Sequence, residues 1–152
     1  MPIASVLPAN PRQIKRIING IALFQEIARI EQEVQPGSED WRKLALWVTI
    51  MTEWPRTWDL LSTYPDLIDL VHEPSRKISD DDLPEENSRK VWVKKIKENR
   101  SIMNLIDFNA VDDWPATLID SSAIKRFRAF MPAPGAIPAI GGPETKEKPK
   151  AG

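Results

Sequence analysis

Asn10-Pro11-Arg12-Gln13-Ile14-Lys15-Arg16-Ile17-Ile18-Asn19 is the stretch around which this chain is organised. Asn at a helix N-cap accepts a hydrogen bond from an orphan backbone N–H, and Pro at the first helical position gives up no donor that had a partner. Ile14, Ile17, Ile18 and Ile21 then recur at helical spacing. What surrounds them is less ordinary. The start of a helix dipole favours Asp or Glu, yet the opening turns carry Arg12, Lys15 and Arg16. Each such cation, when exposed, costs a few tenths of a kcal/mol, roughly. A cationic helix start with free N–H groups suits an anion, most simply a phosphate. The plainer account is that the long basic side chains cover apolar surface with their stems and keep their heads in water.

Working outward, the first helix is expected from Pro11 to about Glu33, with Phe24 and Ala28 continuing the apolar set and Leu23, Ile27 and Ile30 widening it. So broad a stripe calls for more than one packing partner. Gln35-Pro36-Gly37-Ser38 breaks the chain, and Ser38 or Asp40 is expected to cap a second helix ending near Glu53. Pro55 opens a short third helix with Trp58 and Leu61 inward, and Tyr64-Pro65-Asp66 starts a fourth through Leu67, Ile68, Leu70 and Val71. Trp41, Trp47, Trp54 and Trp58 could stack a ligand, but their helical spacing reads as core.

The polar segment 73–87, with Asp80-Asp81-Asp82, is expected to be a solvated, mobile loop, since adjacent carboxylates rarely converge on one cation. From Ser88 a helix is expected with Val91, Trp92 and Ile96 inward and Lys94, Lys95, Lys97 and Arg100 outward, continuing through Ile102, Met103, Leu105 and Ile106 to about Phe108. Asp112-Asp113-Trp114-Pro115 reads as a turn, and Ser121 or Ser122 as the cap of a last helix. In that helix Ile124, Phe127 and Phe130 should pack while Lys125, Arg126 and Arg128 face water. Strand-like alternation and fixed-period repeats are both absent from the pattern. The expected architecture is therefore all-α: an irregular multi-helix bundle over 10–131, with an extended lead-in at 1–9 and a disordered, Pro/Gly-rich tail at 132–152.

Asn10-Pro-Arg-x-Ile-Lys-Arg-x-x-Asn19, followed by Leu44-Ala45-Leu46-Trp47 and Glu53-Trp54-Pro55, resembles the KAP family of P-loop NTPases, in the helical segment after their nucleotide-binding core. The likeness covers about Asn10 to Leu61, with a weaker echo from Ile119 to Met131. The resemblance implies a lid- or sensor-like helical part. In it, Arg12 would touch nucleotide phosphate, Lys15 and Arg16 would stand behind it, and Asn10 and Asn19 would hold the helix. ATP would be met only beside a P-loop core, which would be the partner. The abrupt start in mid-motif suggests a fragment or truncated gene.

The chain itself departs from a complete NTPase. None of its six glycines precedes a lysine, so no Gly-Lys-Ser or Gly-Lys-Thr phosphate loop is present. Leu67-Ile68-Asp69, Leu105-Ile106-Asp107 and Leu118-Ile119-Asp120 mimic runs ending in a magnesium-holding aspartate, but they read as helix faces rather than buried strands. No catalysis is expected of the chain alone. The lack of cysteine removes disulfides, thiolate metal sites and cysteine nucleophiles, and fits a cytoplasmic setting. His72 is the sole histidine, too few for the usual zinc site, and Gly-x-Ser-x-Gly is missing. Glu53 and Asp59 flank the tryptophans without a spacing that favours acid–base work over surface charge. A net charge of −1 gives no general reason to bind nucleic acid, and the basic clusters read as solvated faces. No apolar run approaches the ~20 residues of a membrane span. The alternative to the lid is a helical protein-interaction module with no nucleotide role.

Overall fold

In a computed structural model of the protein, the residues described are 10–75, 84–111 and 114–132. The lead-in at 1–9, most of the loop at 73–87, Asp112 and Asp113 of the turn, and the tail beyond Pro132 lie outside them. Among the described residues the chain forms α1 (Pro11–Ile30), α2 (Glu39–Glu53), α3 (Pro55–Thr63), α4 (Asp66–His72), α5 (Glu86–Glu98), α6 (Arg100–Ile106), β1 (Asp107–Phe108), β2 (Thr117–Leu118) and α7 (Ser121–Phe127). The fold is an irregular all-α bundle bearing one short antiparallel hairpin.

The bundle is built around α2. Every residue from Lys43 to Thr52 is buried. A helix covered on all sides needs neighbours on all sides. Here α1, α3, α6, β2 and α7 supply them. Trp47 meets Trp58 of α3 with ring centres 5.8 Å apart, and Trp41 and Trp54 pack more peripherally on the same core. The tryptophans are thus a packing cluster. Gly20 lets α1 approach α2 closely, because a Cβ there would stand 3.3 Å from Val48 Cγ1. Two α2 threonines are made compatible with burial by donating to carbonyls one turn back, Thr49 to Ala45 and Thr52 to Val48, each at 2.9 Å.

Local signals set most helix ends. Ser38 Oγ accepts from Trp41 N and caps α2. The first helix stops sooner than its apolar pattern implies, at Ile30. Gln32 adopts a left-handed φ of 59°, Gln32 N donates to Arg29 O and Glu33 N to Ala28 O. Those bonds form a Schellman close, with glutamine where glycine is usual.

Four expectations need correction. The helix begun in the 80s is not continuous to Phe108: Asn99 leaves helical geometry and its side chain accepts from Ile102 N, ending α5 and capping α6. Val91 and Trp92 do not point inward but are 51% and 38% exposed, while Ile96 is buried and Val93 half-buried. Strand pairing does occur, Asp107 opposite Leu118 and Phe108 opposite Thr117, so Asp107 opens a strand instead of lying on a helix face and Asp120 follows one. Finally, Asp120 rather than Ser121 or Ser122 caps the last helix, its carboxylate accepting from Ala123 N at 3.0 Å. The hairpin escaped notice because two-residue strands carry no readable period.

Trp47→Ala should lower unfolding free energy by about 3–5 kcal/mol, the usual cost of emptying an enclosed aromatic site. Urea unfolding followed by circular dichroism measures it, and a loss below about 1 kcal/mol would contradict the central position of this ring.

Candidate functional site

The tip of α1 forms as its residues dictate. Asn10 has extended backbone, its side chain accepts from Arg12 N at 2.9 Å, and Ile14 N donates to its carbonyl at 3.0 Å. No acidic residue occupies the first turn. Arg12 and Lys15 are exposed, whereas Arg16 is half-buried near Glu53 of α2. Asn19 is exposed and makes no side-chain hydrogen bond among the described residues, so the cap alone organises this end. The helix is held through Ile17, Ile21 and Ala28, and Gln25 Nε2 donates to Trp41 O at 3.1 Å. Its outer side leaves Ile18, Leu23 and Ile30 at 43%, 56% and 62% exposure. The tip can therefore offer cations to an anion brought from outside, but it is not itself a pocket.

Two cavities lie elsewhere, and Arg12, Lys15 and Arg16 line neither. The larger, about 1060 Å³, runs between the end of α4 and α5. Leu70, Pro74 and Val93 give it apolar lining, and Lys90, Lys94 and Lys97 give it a cationic side. The smaller, about 380 Å³, joins α3 to α5 through Arg56, Leu60, Trp92 and Lys95. There Lys95 Nζ stands 5.3 Å from the centre of the Trp92 ring. Lys94, Lys95 and Lys97 are exposed, as expected of a solvated face. Their shared side was legible from the spacing of Lys90, Lys94 and Lys97, but the apolar wall opposite was not.

The second basic cluster is solvent-exposed, as its spacing implies, and is paired as well. Lys125 Nζ lies 3.0 Å from Asp66, Arg126 lies 2.8 Å from Asp40, and the Arg128 guanidinium donates to the carbonyls of Ser62 and Thr63. The last contact sets a cation on the negative end of α3. In return, Asp69 accepts from Ser121 Oγ at 2.8 Å at the positive end of α7, and Lys43 lies 3.5 Å from Asp120. These groups are committed to holding α7.

Among the described residues, hydrolytic and metal chemistry find no assembled site. His72 Nε2–H donates to Ile119 O at 2.9 Å, which ties the imidazole to backbone, and Ser121 is already bonded to Asp69. Among the described residues no three His, Cys, Asp or Glu side chains gather as a metal site. No helix there is long and apolar enough to cross a membrane. No family model, curated protein or solved structure matches the chain.

Burial pushes the Glu53 carboxyl above its usual range, and the nearby Arg16 partly opposes the push. A carboxyl raised in this way holds its proton more tightly when folded. Its stabilising contribution is present below the unfolded pKa and is lost as pH rises through the folded one. Glu53→Gln should thus gain Tm relative to the unmodified protein between about pH 4 and pH 7. Melting curves at several pH values test this; a Tm difference that stays flat or runs the other way would contradict it.

Proposed function

We propose that this chain is a helical lid- or sensor-like part of a KAP-like P-loop NTPase, non-catalytic by itself. The observation that carries the reading is the solvent-open cationic tip of α1, capped by Asn10 and free of first-turn carboxylates. Arg12 reaches the phosphates of a nucleotide held by a core domain, with Lys15 and Arg16 adding positive potential behind it. The attachment of α1 also suits the role. It packs on α2, so a push on its tip is delivered directly to the centre of the bundle. The chain has no phosphate loop, so the nucleotide must be supplied by the partner domain.

A second reading, a helical interaction module without a nucleotide, is favoured by the exposed Ile18, Leu23 and Ile30 along α1. Calorimetric titration with ATP should give no saturable heat for the chain alone; tight binding would defeat the lid. Joined to a P-loop core of the family lacking its own helical part, the chain should support ATP turnover. Arg12→Ala should then lower that turnover at least about tenfold while the melting curve is unchanged. Equal turnover with and without Arg12 would leave the interaction module standing.

A further inference from the structure

We infer that the groove between α4 and α5 is a docking site for an acidic amphipathic helix of a partner protein. Lys90, Lys94 and Lys97 fall four and three residues apart and share one side of α5. They span about 10 Å along its axis at the α-helical rise. A partner helix with carboxylates at the same spacing can meet all three, while a leucine-like side chain from its adjoining stripe enters the apolar part at Leu70, Pro74 and Val93.

The charges are available. Lys94 and Lys97 are exposed and make no hydrogen bond or ion pair among the described residues. Among the described residues Lys90 meets Glu86, at 3.6 Å on an open surface, a contact that stabilises little. Within α5 five cations face two carboxylates, although the whole chain carries a net charge of −1. Positive charge on this helix can steer an acidic segment to it.

Other occupants fit less well. A twofold contact centred on this groove would set these lysines against the same lysines. A nucleic-acid backbone would gain nothing from the apolar lining of the groove. The site belongs to α4 and α5 and does not depend on the nucleotide reading of α1.

The test uses the full chain, labelled with ¹⁵N, and three probes at low salt. The first is a helical peptide of about 14 residues with Glu at i, i+4 and i+7 beside a leucine stripe. The second is the same composition scrambled, and the third is a single-stranded DNA oligonucleotide. The ordered peptide should shift amide signals of Leu70, Val93, Lys94 and Lys97 and bind at least about fivefold tighter than the scrambled one. The double change Lys94→Glu and Lys97→Glu should weaken it about tenfold, and Lys94→Gln with Lys97→Gln by less, with melting curves unaltered. Reversal at Lys95 and Arg100, which do not line the groove, should weaken binding clearly less than reversal at Lys94 and Lys97. No binding, equal binding of the scrambled peptide, signals confined to α1, or tighter binding of DNA at these residues would each overturn the proposal.

Discussion

The enclosure of α2 is the constraint on which the rest of the structure depends. Ten consecutive residues, Lys43 to Thr52, lie out of water, including Trp47, Leu44, Leu46 and Ile50. Such a helix cannot rest on a single partner. It requires a wall on each side, and the short helices after it are bent by Pro55 and Pro65 to supply those walls. The irregularity of the bundle follows. Helices of seven to nine residues, such as α3, α4, α6 and α7, are too short to be stable by themselves and persist because each closes part of the surface around α2.

Polar contacts fix the order in which those walls meet. The seven-residue α7 joins three earlier helices through charge: Arg126 to Asp40 of α2, Arg128 to the carbonyl end of α3, and Lys125 and Ser121 to Asp66 and Asp69 of α4. Asp66 and Asp69 are nearly buried, so each needs its partner to offset lost hydration. Ile124 and Phe127 supply the apolar attachment, and the ionic contacts set its direction. A cluster with the composition of a nucleic-acid patch is in this fold an exposed set of side chains paired with groups on three earlier helices.

Beyond those paired cations, the described residues leave basic side chains open at the tip of α1 and along the α4–α5 groove. The α1 tip is solvent-facing and lines neither cavity. The α4–α5 groove is concave and partly apolar, a geometry that can receive a side chain. The described residues bring together neither a nucleophile with a base nor a set of metal ligands, since His72, Ser121 and Asp69 are each bound into structural contacts.

Much of this was legible in one dimension. The Asn10 cap, the Ser38 cap, the start at Pro55 and the inward faces of the first four helices are local or periodic signals, and the backbone obeys them because caps and apolar stripes act within a turn or two. The sequence by itself determined the helical class, the packing role of the tryptophans and the cationic character of the α1 tip. Only the tertiary structure decided the break at Asn99, the outward turn of Val91 and Trp92, the hairpin pairing Phe108 with Thr117, and which basic cluster would be paired. Those outcomes depend on groups brought together across the chain, as Arg126 and Asp40 are across 86 residues, and no local pattern encodes a partner that far away.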